Sequence, residues 1–146
     1  MTLNVGIAGY GIVGKRRKLC VDLNQDLKVT AACDRTFENT GFTSDGIKFF
    51  QTYHELLNDK IDVLIVCMTN DIAAEVTIAG LEKGFHVFCE KPPGRSVEDV
   101  LRVRTFEQRS PQLKLMYGFN HRYHESVKEA LSVMHSGDLG KPINLR

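Results

Sequence analysis

Apolar strand patterns alternate with helical patterns along this 146-residue chain. That order predicts an α/β fold, a doubly wound parallel sheet with helices on both faces. Two observations carry the prediction. The alternation Leu3-Val5-Ile7 runs into Gly6-Ile7-Ala8-Gly9-Tyr10-Gly11-Ile12-Val13-Gly14, and twenty residues past Gly14 a second apolar run, Val29-Thr30-Ala31-Ala32-Cys33, ends at Asp34. Strand, Gly-x-Gly-x-x-Gly, helix, strand and acid together form a dinucleotide-binding fingerprint. The second observation is Asp62-Val63-Leu64-Ile65-Val66-Cys67, a near-continuous apolar run suited to a strand buried on both faces.

Each part of the fingerprint has a physical task. Gly9 permits the tight turn off the first strand. Gly11 brings no side chain, so backbone can touch a pyrophosphate. Gly14 lets the helix pack closely on the sheet, and Tyr10, Ile12 and Val13 complete the loop. The helix start then offers unpaired N–H groups and partial positive charge to phosphates. Asp34 can accept hydrogen bonds from the adenosine ribose hydroxyls and opposes a 2′-phosphate, whereas Arg35 could pair with one. Asp34 is held at a strand end, while Arg35 enters a loop and must lose side-chain entropy to reach a phosphate. NAD is therefore the expected cofactor, with NADP the alternative.

The remaining elements follow in order. A helical pattern runs from Val13 to about Leu23. Arg35 to Gly46, rich in Gly, Ser, Thr and Asn, predicts a loop with little or no helix. Ile47–Phe50 predicts a short strand and Thr52–Leu57 one or two helical turns. Asp71–Lys83 has helical spacing and stops at Gly84. Phe85–Cys89 predicts the next strand. Ser96 caps a helix to about Gln108, with Asp99 in the capping-box position. Leu113–Tyr117 predicts a sixth strand, and Glu125–His135 a helix that stops at Gly137.

Composition narrows the function classes. Hydrophobic content of 42%, charged content of 25% and a net charge of +1 are those of an ordinary globular chain with no field to attract nucleic acid or a membrane. The first strand begins at Leu3, which leaves no room for a signal peptide, and no apolar run approaches a membrane span. The cytoplasm is the expected compartment. Cys20, Cys33, Cys67 and Cys89 have no Cys-x-x-Cys spacing. Cys33, Cys67 and Cys89, at or near the ends of predicted strands, read as small buried hydrophobes, the alternative being a thiol that faces the cofactor cleft.

Gly-Phe-His-Val-Phe-Cys-Glu-Lys-Pro at 84–92, following the glycine loop, Asp34 and Asn70, resembles the N-terminal half of the Gfo/Idh/MocA oxidoreductases. Gly118-Phe119-Asn120-His121-Arg122 and Gly140-Lys141-Pro142-Ile143 extend the resemblance over nearly the whole chain. It implies a Rossmann domain over residues 1–122, then a connecting helix and the first strand of a second domain over 123–146. In that family the second domain supplies much of the substrate pocket. A chain ending at Arg146 is then expected to be a fragment, a truncated product or half of a split enzyme.

The resemblance also assigns roles. Lys91 would face the nicotinamide and the reacting hydroxyl, orienting and polarising it. An ammonium there stabilises oxyanion character, and a semi-buried lysine can exchange a proton. A lone lysine is otherwise a solvated surface charge. Pro92 would fix the following turn, with a cis bond as one device. Met68, Thr69 and Asn70 would border the nicotinamide ribose or pyrophosphate, and Glu90 and Asn120 would hydrogen-bond the ribose or carboxamide. Asn70 as a helix N-cap and Asn120 as a turn former are the structural alternatives. The family often places a histidine where this chain has Ala73, so tuning like that of its sugar dehydrogenases is in doubt.

Lys15-Arg16-Arg17-Lys18 opposes the dipole of its own helix. The run is either a solvated face or a source of one or two cations for cofactor phosphates. His121 and His124 have no third ligand at a recognisable spacing, so interdomain packing is expected of them. Through the resemblance, the expected function is NAD(P)-dependent hydride transfer at a hydroxyl or keto carbon of a sugar, polyol or related compound, by a homo-oligomer. A non-catalytic dinucleotide-binding module is the alternative. A methyltransferase-like S-adenosylmethionine binder shares the glycine loop but leaves Glu90-Lys91-Pro92 unexplained.

Overall fold

The computed structural model describes residues 2–141 and 143. The strand expected near Arg146 lies largely outside them. Seven strands form one sheet: β1 (Leu3–Ala8), β2 (Leu27–Cys33), β3 (Gly41–Phe42), β4 (Lys48–Phe50), β5 (Val63–Val66), β6 (His86–Cys89) and β7 (Leu115–Tyr117). Their order across the sheet is β3-β4-β2-β1-β5-β6-β7, and every pairing is parallel except β3 with β4. The helices are α1 (Ile12–Asp22), α2 (Tyr53–Leu56), α3 (Ala73–Glu82), α4 (Val97–Arg109) and α5 (Glu125–Ser136), with a 3-10 turn at Asn120–Tyr123.

Two cores flank the sheet because strand side chains alternate between faces. Val5 and Ile7 of β1 join Ile65 of β5 and Val21 of α1 on one side. Leu64 and Val66 of β5 meet Leu56 of α2, Val76 and Leu81 of α3 and Val103 of α4 on the other. The chain leaves β1 toward β2 and β4, then returns to place β5 against the opposite edge of β1. This reversal opens a crevice beyond the carboxyl ends of β1 and β5, where open parallel sheets bind ligands.

The loop expected at 35–46 holds one element that local pattern did not reveal. Gly41 and Phe42 pair antiparallel with Phe49 and Lys48, which adds a short edge strand and makes β7 the seventh strand rather than the sixth. A two-residue strand has no periodicity of its own. It forms because β4 offers an open edge. Gly41 fits there because a Cβ would come within 2.8 Å of the Phe49 ring.

Helix ends follow cap chemistry. Thr52 and Glu55 form a reciprocal capping box at α2. At α4 the Ser96 side chain accepts from Asp99 N–H, but Asp99 Oδ2 takes the Arg95 N–H rather than that of Ser96, so only half of the expected box forms. Asp99 is too short to reach back to its own cap residue. The cap residue of α3 is Ile72, not Asn70. Gly84 and Gly137 adopt left-handed backbone just past α3 and α5, as expected for helix stops.

Candidate nucleotide-binding site

The loop between β1 and α1 is built by three glycines with three different surroundings. Gly9 has φ +92, and a Cβ on it would meet the Cys67 carbonyl oxygen at 2.6 Å. The turn is thereby pressed onto the end of β5. A Cβ on Gly14 would meet the Gly9 carbonyl oxygen at 2.1 Å and Ile7 Cγ2 at 3.2 Å. Gly14 therefore lets the helix close on the loop itself more than on the sheet. Around Gly11 nothing lies within 4 Å of an added Cβ. Gly11 is also the N-cap of α1, with no side-chain cap bond and no acid in the first turn. An uncapped helix start that faces open space is an anion seat.

Gly9 and Gly11 line a cleft of about 490 Å³ with Cys33 at the end of β2, Asp34 and Arg35 after it, Gln51 to His54 after β4, and Cys67, Met68, Thr69, Asp71 and Ile72 after β5. Asp34 is partly buried, and its Oδ1 accepts from both the N–H and the hydroxyl of Thr36 at 3.0 and 2.8 Å. That leaves Oδ2 for a ligand. Arg35 is exposed. The residues present fit a dinucleotide: an open glycine cradle at the helix start and a braced carboxylate at the neighbouring strand end.

The side chains of several other expected residues are not part of the cleft lining. Tyr10 packs on the Val5–Ile7 core, its ring 6.2 Å from that of Phe37. Ile12 and Val13 are exposed, at the start of α1. Asn70 is exposed and is absent from the cleft lining. Gln51, Thr52 and His54 were not foreseen as lining residues. Their signal was available, because they follow Ile47–Phe50 at the carboxyl end of a parallel strand.

Lys91 follows β6, and its bond to Pro92 is cis. The lysine is exposed in this chain, not semi-buried as expected. No element among the described residues covers it. With Phe119, Asn120, His121 and Arg122 it lines a second hollow of about 570 Å³. Of the expected site residues, Gly9, Gly11, Asp34, Arg35, Met68 and Thr69 line the cleft, whereas Lys91 and Asn120 line the hollow.

Glu90 lies under this edge with its side chain 11% exposed. Its Oε1 accepts from Arg17, and its Oε2 accepts from Lys91 N–H at 3.3 Å. The Arg17 guanidinium lies 5.1 Å from the centre of the Phe88 ring. Neither this pair nor its partner strand was legible in the Lys15–Lys18 run. Lys18 pairs with Asp22 and Asp45 at 2.7 and 3.1 Å, which leaves Lys15 and Arg16 as the solvated part of the run.

The cysteines separate by burial. Desolvation pushes the Cys33 thiol up to about 11 and the Cys67 thiol up to about 12, although both line the cleft. Cys89 is buried and raised by the same cause, while Cys20 is exposed. Thiols this reluctant to ionise are packing groups rather than nucleophiles.

Residues 3–119 match the oxidoreductase family with an NAD-binding Rossmann fold known as Gfo/Idh/MocA. An inositol 2-dehydrogenase from Salmonella paratyphi B is 32% identical over 150 residues, which cover 98% of this chain and 44% of that relative. A crystal structure of myo-inositol 2-dehydrogenase from Lactobacillus plantarum superposes with a TM-score of 0.84 at 26% identity, over 98% of this chain and 44% of that one. The myo-inositol dehydrogenase of Lactobacillus casei, crystallised with NAD(H) and myo-inositol, shares the fold with a TM-score of 0.86 at 21% identity, over 98% and 44%. This chain spans less than half the length of the relatives it matches. No described helix is long and apolar enough to cross a membrane. The chain belongs to the Gfo/Idh/MocA oxidoreductases and carries their NAD-binding Rossmann fold.

Proposed function

We propose that this chain is the nucleotide-binding half of an NAD-dependent dehydrogenase that acts on a secondary hydroxyl of a polyol of the inositol type. The observation that carries the proposal is one shared edge. The uncapped α1 start and open Gly11 lie beyond β1, braced Asp34 lies beyond β2, and Lys91 lies beyond β6 of the same sheet. Relatives that cover nearly all of this chain are inositol dehydrogenases.

The α1 N–H groups would hold the pyrophosphate, and Asp34 Oδ2 would accept from the adenosine ribose. A bound nicotinamide supplies the two-electron acceptor. Lys91 would orient the substrate hydroxyl and stabilise the negative charge that builds on its oxygen, an interaction that strengthens toward the transition state. Asn120, in the same hollow, would donate or accept alongside it. Residues 1–122 would form the nucleotide unit, and 123–146 would lead to a second unit that closes over Lys91.

Calorimetry and steady-state turnover test this. The 146-residue chain should bind NAD(H) yet oxidise myo-inositol negligibly, whereas the intact protein should turn it over. Absence of NAD(H) binding at millimolar concentration overturns the cofactor site. Full turnover by this chain alone overturns the need for a covering unit.

A further inference from the structure

We propose that Arg17 is a positioning residue for Lys91, acting through Glu90. The inference deepens the proposed function and rests on it for its kinetic part. Arg17 projects from α1 one turn beyond Gly14, and its Nε and Nη2 both engage Glu90 Oε1. The other oxygen, Oε2, accepts the Lys91 N–H at 3.3 Å. Glu90 is itself anchored by its own N–H, which donates to the Val66 carbonyl at 2.8 Å.

Two further contacts and partial burial leave this carboxylate little freedom. The Arg17 guanidinium rests 5.1 Å over the Phe88 ring. A Cβ at Gly118 would come within 2.8 Å of Glu90 Oε2, so the carboxylate fits only beside a glycine. Side-chain exposures of 29% for Arg17 and 11% for Glu90 keep solvent from screening the pair fully.

The consequence concerns the exposed lysine. Lys91 has four methylenes and no fixed partner among the described residues, so its backbone is the one place where its aim can be set. A misplacement of about 1 Å at a reacting group can cost on the order of a hundredfold in rate. Arg17 also starts from the helix whose first turn faces the phosphate cradle. A single side chain thereby ties the cradle to the lysine-bearing strand end.

The test uses the intact protein with NAD+ and myo-inositol. Arg17→Met should lower kcat at least tenfold while the NAD(H) Kd stays within threefold, and Glu90→Gln should lower kcat to a similar degree. Arg17→Lys, which keeps charge but not the two-nitrogen fork, should recover part of that loss. Hydrogen exchange supplies a readout independent of turnover. Pro92 and Pro93 carry no N–H, so in a peptide from Cys89 to Pro93, whose first two residues lose their label, the remaining amide is that of Lys91, which should exchange at least fivefold faster in Arg17→Met. Unchanged exchange in Arg17→Met, or a loss of kcat matched by an equal loss of NAD(H) affinity, overturns the proposal. If Arg17→Met does not fold, Glu90→Gln decides by the same two readouts. No turnover by the unsubstituted protein overturns the proposed function instead, and exchange alone then judges the tether.

Discussion

Gly14 stands against Gly9 so closely that a Cβ on it would lie 2.1 Å from the Gly9 carbonyl oxygen. The obstacle is backbone, with no flexible side chain to give way. Gly14→Ala must therefore shift α1 away from the loop, at a cost of about 1–3 kcal/mol in stability. Thermal unfolding should show a clear drop in midpoint.

Gly11→Ala should do the opposite. Its φ of −72 suits any residue, and open space receives the methyl group. Stability should stay within about 0.5 kcal/mol. NAD(H) affinity should fall about tenfold, some 1.4 kcal/mol, because the methyl group occupies the approach of the pyrophosphate. Calorimetry and thermal unfolding on both variants separate the two glycines. Equal behaviour would show that the cradle is not where the ligand sits.

Lys91→Ala should lower turnover by orders of magnitude and leave NAD(H) affinity within a few-fold. The ammonium acts on charge that develops only in the transition state. A kcat/KM comparison alongside a direct binding titration checks it. Near-normal turnover would remove Lys91 from the chemistry.

Asp34 should favour NAD(H) over NADP(H). Thr36 braces its Oδ1 with two hydrogen bonds, so the carboxylate cannot swing away from a 2′-phosphate without breaking them. At about 4 Å and an effective dielectric near 20 the repulsion is on the order of 4 kcal/mol per unit charge. Competitive titration should show NAD(H) as the tighter ligand, and Thr36→Ala should narrow the gap. Tenfold tighter NADP(H) binding would mean that exposed Arg35 prevails.

Alkaline pH should unfold the chain early. Burial raises Cys33 from 9.0 to about 11 and Cys67 from 9.0 to about 12. Between those values the unfolded thiols have lost protons that the folded ones retain. Stability therefore falls as pH rises from about 9 and levels off near 12. Urea midpoints should be lower at about pH 10.5 than at about pH 8, and Cys33→Ala should flatten the decline. Exposed Cys20 should be the first thiol to react with an alkylating reagent.

The sequence by itself determined the strand and helix order, the glycine loop, the acid after β2 and the lysine after β6. Each is encoded by neighbours in the chain: side-chain period, cap chemistry at Ser96 and Thr52, and turn residues such as Gly84. The tertiary structure alone decided features whose partners are distant. Arg17 meets Glu90 across 73 positions, so one cation of a four-residue run becomes an anchor while Lys15 and Arg16 stay solvated. The edge strand Gly41–Phe42 exists only because β4 presents unpaired backbone. Gln51 to His54 reach the cleft, and Lys91 lies exposed beside Asn120, because sheet order brings separate strand ends to one edge. Local pattern sets what each segment can form; packing in three dimensions sets which charges meet and which remain open to a ligand.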